Sequence, residues 1–271
     1  MNVTFEFGQN STVGKRKNQE DAAQFVPHLT NSLSEEAHNA NANSSNGALA
    51  VLADGMGGHV AGATASKTAC SAFVENFHPV ADADTFILRN GLEIALHASN
   101  NSLNEQIQSD KTLDGMGCTL IGAYFNNSRM HWVSVGDSVL YLYRNGQLTQ
   151  LNENHSLVPV LELLVEKGEI SADEAADHPE RNALRSALTG EKIDLIDLPH
   201  HQYGLQSGDF IILASDGLLS LSQDQIQDIV EHDRVFGSDA VANALIRAVD
   251  EIDLPNQDNT TSCRCPPRLP V

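Results

Sequence analysis

A chain of 271 residues is long enough to bury a sizeable core as one large domain or two small ones. An apolar fraction of 41% with 19% charged residues is that of a soluble globular protein, and no apolar run approaches the ~20 residues that span a bilayer. Sixteen Lys and Arg against 36 Asp and Glu leave a formal charge of −20, which repels phosphate backbones and anionic lipid and excludes nucleic acid and membrane as expected partners.

The opening residues lack a basic region followed by an apolar stretch, so no secretory leader is expected. Cys70, Cys118, Cys263 and Cys265 are spaced unlike a disulfide framework, which makes the cytoplasm the expected setting. Residues 3–7 alternate as a first strand. A polar turn then leads into the apolar residues 22–26, so Glu20 and Asp21 open a strand, with Arg16 in the loop before it. Residues 30–47, rich in Asn, Ser and Ala, read as a mobile hairpin insertion with no chemistry of its own. Next, Ala50-Val51-Leu52-Ala53 ends abruptly in Asp54, followed by Gly55-Met56-Gly57-Gly58-His59.

Ala61, Ala65, Ala69, Phe73 and Phe77 recur at helical spacing, and a longer helix over 84–108 carries Leu88, Leu92, Leu96, Leu103 and Ile107 on one stripe. Strands are predicted at 118–125, 129–135 and 139–143, with Asn145-Gly146 as a hairpin turn. Residues 156–190 read as a charged helical excursion, with Ser171-Ala172-Asp173-Glu174 as a capping box. Strands resume at 193–198 and 209–214, and two closing helices cover 222–231 and 238–253. Helices that are grouped rather than strictly alternating with strands indicate an α+β protein with antiparallel sheets.

A buried strand with a carboxylate at its tip, followed by a glycine turn, aims an oxygen ligand at a metal. The device occurs at Asp54, again at Asp216 after Phe210-Ile211-Ile212-Leu213-Ala214-Ser215, and more weakly at Asp137 after Val135-Gly136. With Glu20, Asp21 and Asp258, six acidic residues stand at element boundaries. Cys/His ligand spacing is absent, and an all-oxygen set suits Mg²⁺ or Mn²⁺. Several carboxylates in one cleft repel one another unless a cation lies among them. Two ions about 3.5–4 Å apart would clamp the attacking and leaving oxygens of a phosphoryl group. Taken singly, each Asp-Gly is an ordinary turn, Arg16 a surface cation and His59 a loop histidine.

Taken in order, Arg16-x-x-Gln19-Glu20-Asp21, Asp54-Gly55-Met56-Gly57-Gly58-His59, Gly117-Cys118-Thr119-Leu120, Val135-Gly136-Asp137-Ser138, Ser215-Asp216-Gly217 and Asp258-Asn259 form a specific set. The set resembles the metal-dependent Ser/Thr protein phosphatases (PPM family, protein phosphatase 2C type) in their bacterial form. That resemblance implies a two-layer antiparallel β-sandwich flanked by helices (α-β-β-α), with a dinuclear Mn²⁺ or Mg²⁺ centre at one end. It implies that Asp54 bridges the two ions and the Gly55 carbonyl joins it as a ligand, that Glu20 holds one ion, and that Asp216 and Asp258 hold the other. Asp137 would mark a third-metal site, Asp21 would orient a bound water, and Arg16 would grip the substrate phosphate. His59 is the candidate general acid.

The implied activity is hydrolysis of phosphoserine and phosphothreonine in proteins by a hydroxide bridging the ions, in a cytoplasmic monomer that opposes a Ser/Thr kinase. A relative that binds phosphoproteins without turnover is the alternative. On this reading residues 1–261 form a single phosphatase domain, with 156–190 as its flap. After Thr261 the chain continues as Ser262-Cys263-Arg264-Cys265-Pro266-Pro267-Arg268-Leu269-Pro270-Val271, where relatives have an apolar strand. Proline cannot donate to a ladder, so residues 262–271 are expected to replace that strand with an atypical tail and to loosen Asp258.

Overall fold

The computed structural model describes residues 4–29, 47–80, 83–264 and 267–268; the insertion expected over 30–47 lies, apart from Gly47, outside the described residues. In chain order the elements are β1 (Thr4–Phe5), β2 (Gly8–Thr12), β3 (Ala22–Leu29), β4 (Gly47–Ala53), β5 (Gly55–Met56), α1 (His59–Asn76) and α2 (Thr85–Ser109). Then come β6 (Gly117–Cys118), β7 (Leu120–Asn126), β8 (Arg129–Val135), β9 (Val139–Arg144), β10 (Gln147–Gln150), α3 (Val158–Glu166) and α4 (Ala172–Ala176). The chain closes with β11 (Tyr203–Gly204), β12 (Phe210–Ala214), α5 (Gln223–Asp233), α6 (Ser238–Ile252), β13 (Thr260–Arg264) and β14 (Pro267–Arg268).

Two five-stranded antiparallel sheets carry the fold, ordered β10-β9-β12-β13-β2 and β11-β8-β7-β4-β3. All seven residues of β4 are buried because the strand is covered on both faces. Ala48, Ala50 and Leu52 meet Leu140, Leu142, Ile211 and Leu213 between the sheets. Leu49, Val51 and Ala53 instead meet Ala65, Ala69 and Phe73 of α1 and Leu92 and Leu96 of α2. On the far side, Tyr141, Ile212 and Ala214 pack on Ile226 and Val230 of α5 and Val241, Leu245 and Val249 of α6. The layers are therefore α-β-β-α, the architecture the motif set implies. Asn145 and Gly146 both take positive φ, 53° and 80°, in the β9–β10 turn.

Three sequence expectations are corrected. Of the first strand expected over 3–7, residue 3 lies outside the described residues and the rest gives only the short β1, followed by polar β2, which pairs along its full length with β13 under α6. Gly, Gln, Asn, Ser and Thr suffice there because β2 is a sheet edge and the register comes from its neighbour. Residues 193–198 form no strand; Asp197 makes only an isolated bridge to Ser134, and its carboxylate accepts from the Trp132 indole N–H at 2.9 Å. Finally, the strand expected to be lost at the tail forms as β13, between β12 and β2. Pro266 comes after its last residue, Arg264, so no ladder position inside β13 falls on a proline.

Candidate functional site

Antiparallel register gathers the acidic residues at one end of both sheets. Ala22 pairs with Ala53, which sets Asp21 beside Asp54. Ala214 pairs with both Val139 and Ser262, which brings the β8–β9 loop with Asp137, the β12 end with Asp216, and the approach to β13 with Asp258 to the same edge. A cleft of about 690 Å³ opens there, floored by Glu20, Asp54, Gly55, Asp137, Asp216 and Asp258. Arg16 lines its rim, and residues 182–194 form the opposite wall.

Glycines set the floor's spacing. A Cβ on Gly55 would lie 2.2 Å from the Gly62 carbonyl oxygen and 2.6 Å from that of Glu20, and a Cβ on Gly62 would lie 2.3 Å from the Glu20 carboxylate. Only bare backbone lets the Asp54 turn, the start of α1 and Glu20 approach so closely. The Ser66 hydroxyl donates to the Glu20 carbonyl, and the Asn259 amide oxygen accepts from the Glu20 N–H at 2.7 Å, fixing that residue from both sides. His59 is the first residue of α1; its side chain lies outside the described residues.

The sequence did not single out the hydroxyls beneath the floor. The Thr119 hydroxyl accepts from the Asp54 N–H at 3.0 Å, while the Thr119 N–H donates to the Asp54 carbonyl at 2.9 Å. Thr119 also meets the Ser138 hydroxyl at 2.7 Å, tying the Asp54 and Asp137 loops together. Ser215 donates to the Asp21 carboxylate at 2.8 Å and accepts the Thr261 N–H at 2.9 Å. Each of these residues adjoins a motif acid or a strand end, which is the one local signal that could have marked them.

The carboxylates sit in one another's fields. Burial, followed by Asp21, Asp216, Asp137 and Asp258, pushes Asp54 well above the usual carboxylate range. Burial first, and then Asp216, raises Asp137 to about 7. Burial raises Asp21 to about 6, against the lowering hydrogen bonds from Ser215 and Thr261. Asp216 is raised by burial and by Asp258. Arg16, the rim cation, is ion-paired with Asp258, whose hydrogen bond raises the guanidinium further. The pair therefore joins an expected phosphate ligand to an expected metal ligand.

Among the described residues, no three Asp, Glu, His or Cys groups are arranged as a ready-made cage for an ion. The donor set nevertheless fits a hard divalent cation. It is all oxygen, and the buried Oδ1 atoms of Asp21 and Asp216 have no hydrogen-bond partner.

Ser215→Ala is expected to cost about 1–2 kcal/mol of stability, because it strips one donor from the buried Asp21 carboxylate, and to raise Asp21 further. Urea unfolding beside a carboxyl NMR titration checks both; an unmoved Asp21 would break the link.

Residues 28–245 match the sequence profile of protein phosphatase 2C. The chain is 37% identical over 172 residues to the Mycobacterium tuberculosis serine/threonine protein phosphatase PstP, covering 63% of this chain and 31% of that protein. It thus spans about a third of that relative's length. It is 34% identical over 206 residues to the serine/threonine phosphatase stp of Listeria welshimeri, covering 73% of this chain and 77% of that one. The crystal structure of the PstP catalytic domain in complex with two manganese ions superposes with a TM-score of 0.75 at 28% identity, covering 98% of this chain and 99% of that chain.

Proposed function

The chain belongs to the protein phosphatase 2C family, and on that footing we propose that it hydrolyses phosphoserine and phosphothreonine in proteins with two Mn²⁺ or Mg²⁺ ions. The observation that carries the reading is the convergence of Asp54, Asp216, Asp137 and buried Asp21 at one sheet end, each driven above its ordinary protonation range by burial and by the others. Such a cluster pays in repulsion for a place where divalent charge is wanted.

Asp54, the Gly55 carbonyl, Glu20, Asp216 and Asp258 would hold the two ions, and Asp137 would serve a third. When bound, the ions supply an acidified water and neutralise phosphoryl charge. Asp21, held by Ser215, would orient that water from below. Arg16 would exchange Asp258 for the substrate phosphoryl, which its planar fork suits equally well. His59 would return a proton to the departing serine or threonine oxygen.

The substrates on this reading are phosphoproteins of a Ser/Thr kinase, met by a cytoplasmic monomer. Among the described residues no helix is long and apolar enough to cross a membrane. Residues 1–261 act as one domain whose segment 156–190 borders the cleft as a flap.

The test is Mn²⁺-dependent phosphate release from a phosphothreonine peptide by wild type and by Asp216→Ala. Ion-dependent release that falls roughly 10²-fold or more in the variant is expected. Release that ignores the ion, or survives the substitution, overturns the reading.

A further inference from the structure

The wall facing the carboxylate floor is rigid at its backbone. The Arg185 N–H donates to the His155 carbonyl at 2.8 Å, and bridges Ser156–Leu184 and Cys118–Leu188 flank it on either side. The Ser186 hydroxyl donates to the Leu195 carbonyl at 2.8 Å and accepts the Leu195 N–H at 2.9 Å, stitching the wall to the next segment.

Among the described residues three cations line the cleft, and two are engaged: Arg16 with Asp258, and Lys192 with Asp194 at 3.7 Å. The third, Arg185, is exposed, and among the described residues its guanidinium has neither an ion pair nor a hydrogen bond. In a chain of net charge −20, an unpaired arginine fixed on the wall of an acidic cleft is a local exception to the general repulsion of anions. Its field is felt at His155 below the wall, whereas Asp216 on the floor feels Arg16. Arg16 thus serves the reacting group, and Arg185 is left for what lies beside it.

Resting on the phosphatase reading above, we propose that Arg185 is a specificity residue that selects phosphopeptides bearing a second anionic group, a carboxylate or another phosphoryl, close in sequence to the residue being dephosphorylated. The guanidinium fork meets either group with two parallel N–H···O bonds. Elsewhere the −20 surface disfavours acidic peptides, so Arg185 sets which of them dock productively. Glu191 and Asp194 line the same wall and reject an anion placed away from the guanidinium, which narrows the register.

The test compares kcat/KM in Mn²⁺ for three phosphothreonine peptides that differ at one flanking position: alanine, glutamate or a second phosphothreonine. Wild type is expected to favour an anionic flank. Arg185→Gln lowers that preference about fivefold through KM, while Arg185→Lys keeps most of it. Loss confined to the glutamate peptide, or to the doubly phosphorylated one, identifies which anion is read. An unchanged preference in Arg185→Gln overturns the proposal, as does an equal loss on all three peptides, which would put Arg185 on the scissile phosphoryl instead. A wild type inert toward every peptide breaks the phosphatase reading itself.

Discussion

Asp54→Asn is expected to lower Mn²⁺-dependent phosphate release by roughly 10²–10³-fold while raising the melting temperature of the metal-free protein by roughly 2–6 °C. Both effects have one cause. Asp54 lies at the middle of the floor, within hydrogen-bonding reach of Asp21 and Asp216 and in the fields of Asp137 and Asp258. The amide keeps the shape of the side chain and a donor toward Asp216 but has no charged form. The metal-free fold then no longer has to oppose the ionisation that burial, Asp21, Asp216, Asp137 and Asp258 all disfavour at this position. The loop itself stays in place, because Thr119 holds Asp54 through main-chain atoms that the substitution leaves alone. Melting curves in chelator and in Mn²⁺, beside the peptide assay, decide the matter. A variant less stable than wild type in chelator would mean that Asp54 supports the fold, and the opposed-effects argument would fail.

The second large effect is a loss of metal-free stability as pH rises. Asp21 at about 6 and Asp137 at about 7 both stand above the ordinary aspartate value of 3.8, with burial as the leading cause. The folded state thus binds more protons than the unfolded chain between those limits, and stability falls with pH there. The contribution is fully present below about pH 4 and is gone above about pH 7. For Asp137 it is on the order of 2–4 kcal/mol, a melting shift of roughly 5–10 °C.

Buried His131 and His155 are lowered by burial and act in the opposite direction, losing stability as pH falls below their unfolded value. Exposed Asp110, Glu174 and Asp253 are lowered too, the first two by local hydrogen bonds and the last by Lys15, and as surface groups they matter little. The clean measurement is therefore wild type minus Asp137→Asn in chelator from pH 4.5 to 8. The difference should close on the acid side and open on the alkaline side in favour of the variant. Mn²⁺ should abolish it, because the ion favours the ionised carboxylates. A difference that stays flat with pH would show Asp137 to be ionised throughout.

Asp54 and Asp216 were legible in the sequence because an apolar run broken by one carboxylate has few bland explanations once it recurs. The stripes on α1 and α2 were legible for the same reason: Phe73, Phe77, Leu92 and Leu96 keep strict spacing and all reach the core. The hydroxyls under the floor were not. Ser215 meets Asp21 across 194 positions and Thr119 meets Asp54 across 65, contacts that follow from strand register and leave no local pattern. Polar β2 was hidden because its partner, not its composition, makes it a strand. The prolines misled for a related reason: they describe where the ladder stops, after Arg264, and carry no information about the five residues before it.

That last strand has a consequence for how the molecule is made. β13 lies between β12 and β2, and Asp258 and Asn259 lead into it, yet every helix and every other member of the two large sheets precedes it in the chain. A nascent polypeptide that has emerged from the ribosome only as far as α6 can complete the β3-β4-β7-β8 layer, but its other sheet is split, with β12 and β2 each showing a bare edge. The ladder that joins residue 12 to residue 260 closes only after α6 and β13 have both been made. Emergence of β13 is thus the step that joins the two halves of this sheet and brings Asp258 and Asn259 to the acidic floor.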